Sequence, residues 1–267
     1  MNQNHKEANP LHWFFNPAPT SEHHWVTERP IAHRGLFDPA QGIPENSMAA
    51  FQRAVEAGFS IELDVRLLAD GQLAVFHDHE LKRMTGEMGA TERLTAADFC
   101  HLRFLLDHQH PPLLPEVLAL VGDKVGVLVE IKDSSVQAAQ AVMRVAQGHP
   151  GRWAALSFHA EVIAWFAKHY PQVTRGLNGG VFEWDAGFLS ALGMRSFLHT
   201  ATARPHFLGC YLKRLQSPVP RWLRSRGLPL IAWTARSQKD YRKSCEHSNA
   251  VIFEGFLPEK HDIIKGP

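Results

Sequence analysis

Residues 59–77 read FSIELDVRLLADGQLAVFH. In the first half, Ile61, Leu63 and Val65 alternate with Glu62, Asp64 and Arg66, the period-two pattern of a strand. Asp70-Gly71 follows, a strong hairpin-turn signal, and no room is left between 66 and 72 for a helix. The stretch therefore predicts an antiparallel hairpin of 59–66 with 72–77. A two-residue turn at Asp70-Gly71 pairs residues whose numbers sum to 141, which places Asp64 opposite His77. Glu62, Asp64 and His77 then share one face.

Outward from this hairpin the chain alternates. Apolar strand candidates stand at 30–33 (PIAH), 125–131 (VGVLVEI), 154–158 (AALSF), 173–177 (VTRGL), 207–211 (FLGCY), 229–233 (PLIAW) and 250–253 (AVIF). Several are apolar on both faces, as buried parallel strands are. Helical patterns fall between them at 47–57, 95–105, 115–121, 135–147, 160–169, 185–192 and 236–246. Asn46 or Ser47 is placed to cap the first of these helices and Gly58 to end it. Setting aside the return strand 72–77 leaves eight strands, the number in a (β/α)8 barrel.

The chain has 267 residues and a net charge of +1. That length suits a single α/β barrel, and that charge supplies no global field for nucleic acid or a membrane. An anion must be held by a local site. Cys100, Cys210 and Cys245 are odd in number and far apart, which speaks against a disulfide framework or a thiolate zinc site. No stretch is apolar enough for stable membrane insertion, and the first residues lack the pattern of a secretion signal, so the expected location is the cytoplasm. Pro10, Pro17, Pro19 and Pro30 make 1–30 a mostly non-helical arm, in which Trp13-Phe14-Phe15 is expected to pack on the domain and His23-His24 to be solvated.

Chemistry-bearing residues gather at predicted strand ends. Glu62 and Asp64 stand at i and i+2 beside an imidazole, an arrangement costly to bury without a cation. Glu130 and Lys132 repeat the spacing at the end of VGVLVE, the end of a barrel strand where active sites form. Oxygen ligands of this kind suit Mg²⁺ or Ca²⁺. Lysine supplies a point charge for phosphate. His33-Arg34-Gly35 ends the first strand: a proton carrier, a planar fork for phosphate, and a glycine for a sharp exit. Among the other histidines, His79 reads as a rim residue, His108 and His110 as solvated, and His159 as a residue at the pocket edge. Asp78 is placed either to orient His77 or to cap the next turn.

The run HRG(35), PENS(47), IELDVRLLADG(71), VFHDHELKRMTG(86), PPLLPEVLAL(120), LVEIKD(133) and SFHA(160) resembles the glycerophosphodiester phosphodiesterase family, in order and in spacing. IAWTAR (231–236) and AVIFEGFLPE (250–259) extend the resemblance across about residues 31–259. The resemblance implies a TIM barrel with a β-hairpin after its second barrel strand and a small insertion at about 78–112. The implied organisation is an arm at 1–30, a catalytic barrel at 31–260 and a tail at 261–267. It further implies Glu62, Asp64 and Glu130 as ligands of one divalent metal ion. His33 and His77 become the acid/base pair, Arg34 and Lys132 the phosphate contacts, and Trp233 and Glu45 part of the substrate pocket, to which His159 is added by its position at the end of the fifth parallel strand. Residues 201–215 match the family pattern only loosely, and two residue pairs depart from it. The last strand ends in Phe253-Glu254 where a Thr-Asp pair is usual, and Ala235-Arg236 stands where Val-Asn often follows WT.

The expected reaction is metal-dependent hydrolysis of a glycerophosphodiester to an alcohol and glycerol 3-phosphate by His/His general acid-base catalysis. The partner is thus a small-molecule phosphodiester, with no nucleic acid, and nothing in the residues sets the oligomeric state. The rival readings are a lysophospholipase D-like phosphodiesterase and a non-catalytic barrel that binds a phosphate ligand. A generic TIM-barrel aldolase or isomerase is disfavoured, because carboxylates around Lys132 would keep it protonated.

Overall fold

The computed structural model describes residues 21–179 and 199–259. The helix expected at 185–192, Trp13-Phe14-Phe15 and the C-terminal tail lie outside them. Nine strands form one sheet: β1 (Ile31–His33), β2 (Ser60–Leu67), β3 (Leu73–Val75), β4 (Val127–Ile131), β5 (Trp153–Ser157), β6 (Thr174–Gly179), β7 (Phe207–Tyr211), β8 (Leu230–Ala235) and β9 (Ala250–Phe253). Eight of them run parallel in the order β1-β2-β4-β5-β6-β7-β8-β9. Pairing of Ile31 with Ile252 returns the last strand to the first and closes a (β/α)8 barrel. β3 lies outside the ring, antiparallel to β2.

The hairpin departs from the expected register. Val65, Arg66 and Leu67 pair with Val75, Ala74 and Leu73, so paired numbers sum to 140. The loop holds three residues, Ala69-Asp70-Gly71, closed by a 2.9 Å bond from the Leu68 N–H to the Gln72 carbonyl. Gly71 takes φ +80°, the left-handed conformation that three-residue hairpin loops require. The extra loop residue puts Phe76, not His77, opposite Asp64, with the Phe76 N–H on the Asp64 carbonyl at 3.0 Å. His77 therefore stands beyond the strand and reaches the barrel mouth from the connection that follows.

That connection, 78–112, has a short helix Lys82–Thr85 and a longer one, Ala96–His101, fixed by a capping box between Thr95 and Asp98. It shares a small apolar cluster with the hairpin, in which Phe76 meets Phe99 edge to face at 5.9 Å. The expected helix at 95–105 stops at His101 because Leu102 is extended. Helix Pro218–Ser225 was not expected, given its two prolines. Both fall in its first turn, where no N–H is needed.

The floor of the barrel is closed by the 3₁₀ segment Ser21–Thr27. Trp25 and Val26 pack against Leu128, Leu156, Phe207 and Ile231. A Cβ at position 126 would lie 2.3 Å from the Trp25 ring, so Gly126 is what admits it. His23, expected in solvent, is buried: it stacks on His206 at 3.7 Å and meets Thr174 Oγ1 at 2.9 Å. The arm's polar composition concealed this packing, because His23 finds its partners on β6 and just before β7. Among the described residues, no helix is long and apolar enough to cross a membrane.

Candidate active site

Strand register brings the acids together. β2 and β4 place Asp64 beside Glu130, and β1 and β2 place His33 beside Glu62. Ligand oxygens of Glu62, Asp64 and Glu130 lie within 4.8 Å of one another, and all three residues are buried. Asn46 fixes the centre of this group. Its backbone takes φ +54°, and its amide donates to Asp64 Oδ2 at 2.9 Å. Ser47, and not Asn46, caps the following helix. Asn178 does for Glu130 what Asn46 does for Asp64, donating to Oε2 at 3.0 Å. Gly209 makes space for that amide, since a Cβ there would sit 1.8 Å from Asn178 Oδ1.

Two cations offset three carboxylates. Lys132 Nζ lies 2.9 Å from Asp64 Oδ1 and 2.5 Å from Glu130 Oε1. Arg34 Nε is 3.1 Å from Asp64 Oδ2, and Arg34 Nη1 is 2.8 Å from Glu45 Oε1. Burial disfavours the Lys132 charge, but Asp64 and Glu130 outweigh it and hold the ammonium protonated above its usual range. Burial also opposes the Asp64 charge, yet Lys132 and Arg34 keep that carboxyl well below the usual carboxylate range. Glu62 is the exception. Burial, then the charges of Asp64 and Glu130, push it well above the ordinary value, and among the described residues its Oε1 has no hydrogen-bond partner. A buried carboxylate oxygen without a donor, in a group with one negative charge to spare, fits a hard divalent cation with oxygen ligands.

The histidines face this group from two sides, each with its Nδ1 on a carboxylate. His33 Nδ1 contacts Glu254 Oε2, and its Nε2 is 3.8 Å from Glu62. His77 Nδ1 contacts Asp78 Oδ1 at 2.7 Å, so Asp78 orients His77, the first of its two expected roles. In both rings Nε2 is left as the atom free to exchange a proton. Burial chiefly lowers the His77 value, with Lys132 and Arg34 adding to it and Asp64 opposing, which leaves a neutral imidazole able to accept a proton. Arg83, which sequence reasoning passed over, joins Asp78 (2.5 Å) to Glu45 (2.6 Å). Glu45 therefore clamps Arg34 and Arg83 together at the pocket mouth.

The pocket has a volume of about 290 Å³ and is lined by His33, Arg34, Glu62, His77, Glu130, Lys132 and Trp233, together with Phe158, Asn178 and Arg236. Trp233 stands edge-on to Phe158 at 5.5 Å. His159 lies in an adjoining cleft with Arg66 and Lys132, its Nε2 3.2 Å from the Lys132 carbonyl. His79 is exposed and faces Glu92 at 3.1 Å on the rim.

The sequence pattern of the Glycerophosphoryl diester phosphodiesterase family matches residues 33–179, from the first site histidine to the end of β6. This chain belongs to that family. It is similar to a glycerophosphodiester phosphodiesterase of Caldanaerobacter subterraneus, 39% identical over 114 residues that cover 40% of this chain and 46% of that protein. The match thus spans just under half the length of that relative. The fold is similar to the crystal structure of a glycerophosphodiester phosphodiesterase from Thermotoga maritima, with TM-score 0.66 and 27% identity over 84% of this chain and 92% of that one. It also resembles an Oleispira antarctica phosphodiesterase solved with the product sn-glycerol-3-phosphate, with TM-score 0.68 and 21% identity over 84% of this chain and 92% of that one. Arg236 and Glu254 lie outside the matched stretch.

Proposed function

We propose that this chain hydrolyses glycerophosphodiesters to an alcohol and glycerol 3-phosphate. The observation that carries this reading is the Glu62 oxygen, without a partner among the described residues, within a carboxylate triad flanked by two histidines whose Nδ1 atoms are both held by acids. Glu62, Asp64 and Glu130 hold one divalent ion, Mg²⁺ or Ca²⁺. Bound there, the ion supplies Lewis-acid stabilisation of charge on the phosphoryl oxygens.

The chain's own groups do the rest. Arg34 and Lys132 draw the phosphodiester anion into the pocket and neutralise the charge that grows on it. The Nε2 of one histidine takes a proton from the nucleophile, either water or the substrate's neighbouring hydroxyl, and the Nε2 of the other gives a proton to the leaving alcohol oxygen; a cyclic phosphate formed by the second route is opened by water in a second step. Glu254 and Asp78 keep each ring in the tautomer this exchange needs. Trp233 and Phe158 wall the side of the pocket and hold the ester group away from bulk water. Membership in the family and the glycerol 3-phosphate held by the Oleispira antarctica protein support the substrate class.

A panel of glycerophosphocholine, lysophosphatidylcholine and bis(4-nitrophenyl) phosphate tests the substrate class. Preferred release of glycerol 3-phosphate from the first is the expected result. Preference for the lysolipid overturns the glycerol assignment in favour of a lysophospholipase D. A stabilising response to phosphate and metal, without turnover of any diester, reduces the barrel to a binder.

A further inference from the structure

Residues 199–259 carry ten Lys and Arg against four Asp and Glu, an excess of six positive charges. The whole chain carries +1, so the remaining residues carry an excess of five negative charges. The positive share lies on one flank. Helices Pro218–Ser225 and Gln238–Cys245 follow the adjacent strands β7 and β8. Arg224, which reaches the carbonyls of Glu246 and Ser248, ties them together.

The four acids do little to offset this charge. Glu254 is turned into the pocket with His33 and Arg236. Glu259 is engaged by Arg242 at 2.9 Å, and Asp240 accepts from Ser237 at 2.8 Å. Glu246 faces His247 at 3.7 Å. Lys213, Arg221, Arg226, Lys239 and Lys243 are exposed. Among them stand two exposed apolar side chains, Trp222 (42% exposed) and Val219 (37%), with the Arg226 guanidinium 5.7 Å from the Trp222 ring centre. Beside them a cleft of about 340 Å³ is lined by Arg221, Arg224, Ser225 and His247.

We propose that this flank, centred on helix Pro218–Ser225, docks the protein on an anionic lipid bilayer. A planar surface of negative head groups is the partner its charge complements. A short helix with cations beside Trp222 and Val219 matches the interface, where indole sits at head-group depth and cations meet phosphate. The cleft between Arg221 and Arg224 has the donors and the size to take one head-group phosphate. A nucleic-acid surface would offer a groove tracking the backbone, with several aromatics to stack bases. Among the described residues the flank shows one exposed tryptophan.

The test is co-sedimentation of the full chain with vesicles of phosphatidylcholine, and with vesicles of phosphatidylcholine mixed with phosphatidylglycerol. The protein is expected to pellet with the mixed vesicles, to remain in solution with the neutral ones, and to detach as salt is raised. The triple variant Lys213→Glu/Arg221→Glu/Arg226→Glu is expected to bind mixed vesicles at least about tenfold more weakly at unchanged Tm. Trp222→Ser is expected to weaken binding at low and high salt alike. If the triple variant melts early, Arg221→Gln/Arg226→Gln carries the comparison at smaller amplitude. The proposal is overturned if the native chain ignores mixed vesicles, or if the variants bind them as well as the native chain does. It is equally overturned if the same substitutions abolish binding to poly(U) RNA while vesicles are not bound.

Discussion

Arg236 and Glu254 form an ion pair, with Nε and Oε1 2.5 Å apart. Both lie beyond residues 33–179, the stretch that the family pattern matches. They are separated by 18 residues, yet each faces the other across the mouth of the pocket. The second oxygen of Glu254 holds His33 Nδ1. Arg236, Glu254 and His33 therefore form a linked chain from the rim to a proposed proton carrier. Burial raises the Glu254 carboxyl, but His33 and Arg236 bring it down to about 2, so it stays ionised at any working pH.

Glu254→Gln is expected to lower kcat by about 10- to 100-fold and to leave KM within about threefold, because an amide no longer selects the His33 tautomer. Glu254→Asp should recover part of that loss. Arg236→Ala is expected to cost little stability, since its side chain is 66% exposed, and to reduce kcat far less than Glu254→Gln does. Steady-state kinetics of the three variants checks the order. Equal effects of all three would separate Glu254 from the histidine.

Glu62 presents the opposite case. Its carboxyl is raised, so the folded state takes up a proton more readily than the unfolded one. The resulting stability is present at low pH and is lost as pH rises past the ordinary carboxylate value. At neutral pH the metal-free protein bears this cost. Glu62→Gln is expected to raise the Tm of the metal-free protein by about 2–4 °C, which is roughly 1 kcal/mol in a domain of this size. The same substitution should abolish the Tm increase produced by Mg²⁺ or Ca²⁺. Thermal melts with and without metal read both effects.

The barrel floor has its own pH dependence. Burial, with Arg175 and His23 beside it, pushes the His206 imidazole down to about 2, against an unfolded value near 6.5. Below pH 6.5 the unfolded chain binds a proton that the native state refuses, so stability falls as pH falls. One such histidine accounts for about 2 kcal/mol lost between pH 6.5 and 5. Denaturant melts at the two values measure it, and His206→Asn is expected to flatten the slope while lowering stability at pH 7.

Trp25 tests whether the first helical turn belongs to the barrel. Trp25→Ala is expected to cost about 3–5 kcal/mol, the range for removing a large aromatic from a packed core. Activity measured well below the lowered Tm should change little, because Trp25 lies at the end of the barrel opposite His33. A loss below about 1 kcal/mol would show that Ser21–Thr27 does not close the floor.

The barrel strands and the acid cluster were legible in the sequence because both are local patterns. Period-two alternation around Glu62 and Asp64, and the apolar run ending at Glu130, carry their meaning within a few residues. The hairpin register was not legible. Asp70-Gly71 fits a two-residue or a three-residue loop, and the difference of one residue moves His77 off the strand. The groups that hold the site in place were also hidden. Asn46 reads as a helix cap and Asn178 as a strand end, until the fold brings them to Asp64 and Glu130. Arg83 and Glu254 reach their partners over 38 and 221 residues of chain. His23 was misread for the same reason, since polar composition near a terminus says nothing about a partner on β6.

The most direct measurement is release of glycerol 3-phosphate from glycerophosphocholine by the native chain before chelation, after dialysis against a chelator, and after Mg²⁺ or Ca²⁺ is restored. The account predicts activity that is lost on chelation and returns with metal in the native protein, and is absent throughout in Glu62→Gln. Turnover that survives the chelator, or persists in Glu62→Gln, would contradict a metal held by Glu62, Asp64 and Glu130 at the centre of the site.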